Sequence, residues 1–101
     1  MNQIIKHISI SSAKNKLQTN KEVVLLDVRD RESFISGHID GALNVSQSNF
    51  RDIVNKTSKD STVIVYCYHG NSSQQVVQLL VDYGFLDVYS LDGGYEEWKI
   101  S

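Results

Sequence analysis

The sequence predicts an α/β fold: a five-stranded, mostly parallel sheet flanked by helices on both faces. Three observations predict it. Residues 22–28 (EVVLLDV) and 61–67 (STVIVYC) are continuous, β-branched runs, the pattern of strands buried on both sides of a parallel sheet. Shorter apolar stretches at 7–10 (HISI), 42–45 (ALNV) and 87–91 (DVYSL) supply the remaining strands. The segments between them carry serine caps, polar faces and glycine stops, as helical crossovers do.

In chain order, HISI is an edge strand, and SSAKNKLQTN opens with serines suited to capping a short helix. The run at 22–28 is a central strand, followed by a helical RESFISGH. ALNV is a short strand, and SNFRDIVNK forms the next crossover. The second central strand ends at Cys67. The strongest helix runs from about Ser73 to Tyr83, where Val76, Val77, Leu80, Val81 and Tyr83 share one face and Gly84 stops it. DVYSL is the last strand, and Trp98 plugs a closing helix. A chain of 101 residues that is 41% hydrophobic reads as one domain, residues 1–101, with its own core.

Composition excludes several function classes. One cysteine closes no internal disulfide, and no Cys/His cluster has metal-ligand spacing, so neither a metal nor another cofactor is expected. The first residues lack a secretory pattern and no apolar run approaches membrane-spanning length, which predicts a cytoplasmic protein without a membrane partner. A net charge of −2 with interspersed signs is no footprint for nucleic acid.

The lone thiol is the candidate site. Cys67 ends a buried strand just before the strongest helix, which places residues 67–72 (CYHGNS) in a tight loop at the carboxyl edge of the sheet, where open α/β sheets bind ligands. Gly70 and Asn71 both tolerate positive φ, which lets backbone N–H groups turn inward as an anion-accepting nest beside the following helix. Such a setting lowers a cysteine pKa. A free cysteine after an apolar run is commonly inert core. Burial, however, accounts for Cys67 and not for a glycine and several small or polar residues directly before a helix.

These residues carry a resemblance. VVLLDVRDRESFISGHIDGALNV resembles the amino-terminal signature of the rhodanese-like domain family, in which Asp-x-Arg leads through an aromatic to Gly-His-x-x-Gly-Ala-x-Asn. CYHGNSS resembles its active-site loop and LDGGYEEW its closing motif, and all three occur in order over nearly the whole chain. The similarity is greatest to small single-domain thiosulfate sulfurtransferases. It implies that Cys67 attacks the outer sulfur of thiosulfate, expels sulfite and holds a persulfide, which cyanide or a dithiol of the thioredoxin kind then discharges in a ping-pong reaction. Tyr68, His69, Gly70, Asn71 and Ser72 would bind the donor mainly through backbone N–H groups, with Ser72 or Ser73 free to cap the helix.

Where many rhodanese loops carry a basic residue, this chain has Tyr68 and Ser72, so side-chain cation help is not expected within the loop. His69 is an even choice between a cationic neighbour and a solvent-facing side chain. Asp27, Arg29 and His38 read as structural. Two alternatives accompany the enzyme reading: a persulfide carrier serving a dedicated protein acceptor and, less favoured, a phosphatase or arsenate reductase on the same fold. Against a phosphatase, Ser73 stands where those loops place an arginine fork for the phosphoryl oxygens.

Overall fold

The β-branched runs form the middle of one sheet in which every pairing is parallel. In the computed structural model, which describes residues 5–101, the strands are β1 His7–Ile8, β2 Val24–Asp27, β3 Leu43–Asn44, β4 Thr62–Tyr66 and β5 Asp87–Leu91. They lie in the order β1-β5-β4-β2-β3. Val63, Ile64, Val65 and Tyr66 of the central strand β4 are all buried, as a strand covered on both faces requires.

Side-chain alternation along the strands divides the core into two layers. Leu25, Ile64, Tyr66 and Leu91 point to one side, where they meet Ala13 of α1 (Ile10–Thr19), Phe34 of α2 (Arg31–Ser36) and Tyr95 and Trp98 of α5 (Gly94–Trp98). Leu26, Val63, Val65 and Val88 point to the other, against Val54 of α3 (Phe50–Lys56) and Val77 and Leu80 of α4 (Ser72–Asp82). Helices therefore cover both faces.

The structure trims several elements for local reasons. β1 stops at Ile8 because Ser9 is the N-cap of α1, its hydroxyl accepting the Ser12 N–H at 3.2 Å; Ile10 thus opens the helix instead of extending the strand. Ser9, rather than the serines after it, caps this helix. β3 pairs only at Leu43 and Asn44, opposite Leu26 and Asp27. α4 starts at Ser72, and Tyr83 lies beyond its buried stripe, half exposed with its ring edge-on to Phe50 at 5.9 Å. The register of the centre sets up the site: Tyr66 lies opposite Asp27, and the Val28 N–H donates to the Tyr66 carbonyl at 3.0 Å. Residues 27–29 and 66–68 therefore leave the sheet side by side at its carboxyl edge.

Candidate active site

A thiol at the end of a buried strand meets an apolar environment that disfavours its anion, unless hydrogen-bond donors are supplied. Cys67 is only 4% exposed, and the loop supplies those donors. The Gly70 N–H donates to Sγ at 3.1 Å and the Ser73 N–H, in the first turn of α4, at 3.4 Å. The Ser73 hydroxyl lies 3.4 Å from Sγ. Burial pushes the thiol pKa up, but the Ser73 hydroxyl and the N–H groups of Ser73, Gly70 and His69 together outweigh it and hold Cys67 below the ordinary cysteine value.

The loop conformation that aims these donors depends on close backbone approach. Gly70 has φ +95°, a left-handed value that a side chain rarely adopts, and a Cβ there would lie 3.2 Å from the Leu91 carbonyl. The Gln74 side-chain amide donates to the Gly70 carbonyl at 2.8 Å. From the other side, α5 grips the loop: the Tyr95 N–H donates to the Cys67 carbonyl at 2.8 Å and the Glu96 N–H to the Tyr68 carbonyl at 3.0 Å. These are N–H groups of a helix start, which lack acceptors within their own helix. A Cβ on Gly94 would sit 2.5 Å from the Tyr68 carbonyl oxygen, so this grip requires glycine.

The closing LDGGYEEW segment thus holds the loop of this backbone-lined thiol, and the sequence pattern of the rhodanese-like domain fits residues 9–101. The chain belongs to the rhodanese-like domain family. It is 43% identical over 93 residues to a protein of Shewanella oneidensis named thiosulfate sulfurtransferase GlpE, spanning 92% of this chain and 91% of that one. A Coxiella burnetii protein of the same name is 46% identical over 84 residues, 83% of this chain and 78% of the relative. Among solved structures, a rhodanese-like domain protein from Staphylococcus aureus superposes with a TM-score of 0.81 at 31% identity, covering 93% of this chain and 91% of its own.

Next to the rhodanese-like loop stands a second buried group of charges. Asp27 and Arg29 form an ion pair of 2.7 Å, with further bonds from the Arg29 Nε and N–H to the carboxylate. The guanidinium also donates to the Gly37 carbonyl at 2.6 Å and lies 4.2 Å from the centre of the Tyr95 ring. Burial opposes its charge, but the Asp27 bonds raise its pKa further. The pair thus ties β2 to the end of α2 and to α5, which is the structural role expected of it. His38 is likewise structural: its Nδ1 bonds the Phe34 carbonyl at 2.7 Å and its ring stacks on Phe34.

The loop residues named from sequence divide by role. Gly70 and His69 direct backbone donors at sulfur, while the His69 side chain is exposed. Tyr68 is anchored away from the thiol: its hydroxyl donates to Asp30 at 2.6 Å and also meets the Ser33 hydroxyl, so α2 holds this corner of the loop. Asn71 has φ −97° and is the N-cap of α4 with no side-chain cap bond, so the inward turn falls on Gly70 alone. Ser72 is the first helical residue and is exposed. Ser73, expected as a possible cap, is instead fully buried against Sγ, and its Oγ lies 2.8 Å from Ser90 Oγ on β5. Its place near the helix start was legible; its pairing with Ser90 had no signal in the sequence.

Proposed function

We propose that this protein is a thiosulfate sulfurtransferase in which Cys67 carries the transferred sulfur. The observation that supports it is a buried thiol held toward its anion by neutral groups, the N–H groups of Gly70, His69 and Ser73 and the Ser73 hydroxyl, in a rhodanese-like domain whose relatives bear that name. In the first half-reaction the Cys67 thiolate bonds to the sulfane sulfur of thiosulfate, and the sulfur–sulfur bond of the donor breaks. Its electron pair leaves with sulfite, and a cysteine persulfide anion remains. In the second, cyanide or an external thiol takes the terminal sulfur and the thiolate is restored.

The donor is a dianion approaching an anion, so the site must offset repulsion without quenching the nucleophile. Backbone N–H groups of Tyr68, Asn71 and Ser72, the last at a helix start without an intrahelical acceptor, are the remaining donors for the incoming sulfur and its sulfite group. Cys67 is the chain's single cysteine, so no internal thiol resolves the persulfide and the acceptor comes from outside. Ser73, bonded to sulfur where a phosphatase would carry its arginine fork, speaks against phosphoryl transfer.

Intact mass measurement tests the proposal. Thiosulfate should make the protein one sulfur atom heavier, dithiothreitol should reverse the gain, and cyanide should yield thiocyanate at a rate abolished in Cys67→Ala. Full activity in Cys67→Ala would overturn the mechanism. Stoichiometric persulfide with very slow turnover to small acceptors would instead favour a carrier that serves a protein acceptor.

A further inference from the structure

We propose that Ser90 is a positioning residue for the Cys67 thiolate, acting through the Ser73 hydroxyl. The inference rests on the reading of Cys67 as the nucleophile and adds a residue from a different strand to its support.

Ser90 lies on β5 opposite Val65 of β4 and is wholly buried, on the same face of its strand as the buried Val88. A hydroxyl in such a place costs stability unless it is hydrogen-bonded. Its Oγ is 2.8 Å from Ser73 Oγ, which in turn is 3.4 Å from Cys67 Sγ, so two hydroxyls connect the neighbouring strand to the sulfur.

Each hydroxyl carries one proton, and this couples their directions. A thiolate only accepts, so the Ser73 O–H points to Sγ and the Ser73 oxygen is free to accept from the Ser90 O–H. A thiol reverses the order: S–H donates to Ser73, whose own proton turns toward Ser90. No proton passes along the chain and neither serine ionises; the proton released by Cys67 goes to solvent. Ser90 thus supplies the donor that lets Ser73 commit its proton to sulfur.

The charged and titratable groups around this chain leave that task to the hydroxyls. The loop carries His69 and Tyr68, both exposed; at the adjoining strand ends Arg29 pairs with Asp27, which also interacts with Tyr66. Asp92 bonds His7, and Glu96 and Glu97 open α5. The first turn of α4 holds no acidic residue. The bonds at Sγ are made with neutral groups, the Gly70 and Ser73 N–H groups as donors and the Ser73 hydroxyl.

The test is the pH dependence of Cys67 alkylation by iodoacetamide, read by intact mass. In Ser90→Ala the apparent pKa should rise by about half to one pH unit, which is roughly a three- to tenfold loss of thiolate on the acid side of the titration. Ser73→Ala should raise it as well, and Ser90→Ala should add nothing in the Ser73→Ala background, because its effect passes through that hydroxyl. Ser90→Thr and Ser90→Val, matched in shape and different only in the hydroxyl, serve if the alanine variant does not fold; Thr should titrate at lower pH than Val. Unchanged titration in Ser90→Ala, an undiminished shift without Ser73, or equal values for Thr and Val would each overturn the proposal. Wild-type protein that alkylates as a thiolate yet gains no sulfur from thiosulfate would defeat the functional reading and leave the role of Ser90 standing.

Discussion

Two adjacent strands end in buried ionisable groups, and they treat charge in opposite ways. β2 leads into Asp27 and Arg29, whose charges meet at 2.7 Å and are nearly closed to solvent. β4 leads into Cys67, also buried, which meets backbone amides and the Ser73 hydroxyl and, among the described residues, no cation in bonding contact. A charge with a full counter-charge is committed to holding the fold. An anion supported by dipoles is stabilised without being neutralised, and so keeps its reactivity toward a sulfur centre. Equal burial at the same sheet edge thus yields a clamp in one strand and an anion-favouring cradle in the next.

The largest effect should come from breaking the clamp. Arg29→Leu leaves the wholly buried Asp27 without its counter-charge, which should lower the unfolding free energy by about 3–5 kcal/mol in urea denaturation. Sulfur transfer per folded molecule should largely survive. Loss of transfer in a variant that remains folded would erase the distinction between the two strand ends.

Gly94→Ala attacks the other side of the comparison through its scaffold. The residue has φ +60°, and the new Cβ would meet the Cys67 and Tyr68 carbonyl oxygens at 2.6 and 2.5 Å. Backbone strain should cost about 1–3 kcal/mol in thermal or chemical denaturation. The displaced loop should also slow alkylation of Cys67, which separates this variant from Arg29→Leu.

A smaller effect is a pH dependence of stability. The folded protein holds the Cys67 pKa below its unfolded value of about 8.5, so in the interval between them the unfolded chain binds the extra proton. Stability should rise with pH across that interval, be fully present above the unfolded value and be lost as pH falls through the folded one. Cys67→Ser should remove this slope in urea titrations at successive pH values, whereas the same slope in both proteins would place its origin elsewhere.

The smallest effect concerns the corner held by Tyr68. Bonds from Tyr68 first, and then from Ser33, lower the exposed Asp30 carboxyl to about 2. Its contribution is therefore present above about pH 4 and lost as pH falls through about 2. Tyr68→Phe should move the Asp30 titration, followed by NMR, back toward the ordinary carboxylate range while hardly changing stability at neutral pH.

What the sequence made legible was whatever is local. β2 and β4 announced themselves by β-branched runs, and α4 by the spacing of Val76, Val77, Leu80 and Val81; Gly70 was readable because a tight inward turn needs left-handed backbone. The boundaries of β1 were not, since Ser9 had to be weighed as a strand residue against a helix cap, and the cap bond to Ser12 decides it. Nor did the sequence show that Ser73 faces sulfur or that Ser90 stands behind it. Those contacts arise where α4 packs on β5, and no periodicity within either segment encodes which serine meets which.

The grip of α5 on the loop has a consequence in time. Cys67, its loop and the start of α4 are synthesised before Ser90, Tyr95 and Glu96, which complete their surroundings. At roughly 5–20 residues per second, about one to five seconds separate Cys67 from Ser90 on the ribosome. During that delay the chain carries a thiol without its second hydroxyl and without the amides that fix its loop. The surroundings that favour the Cys67 anion are therefore completed by residues made after it.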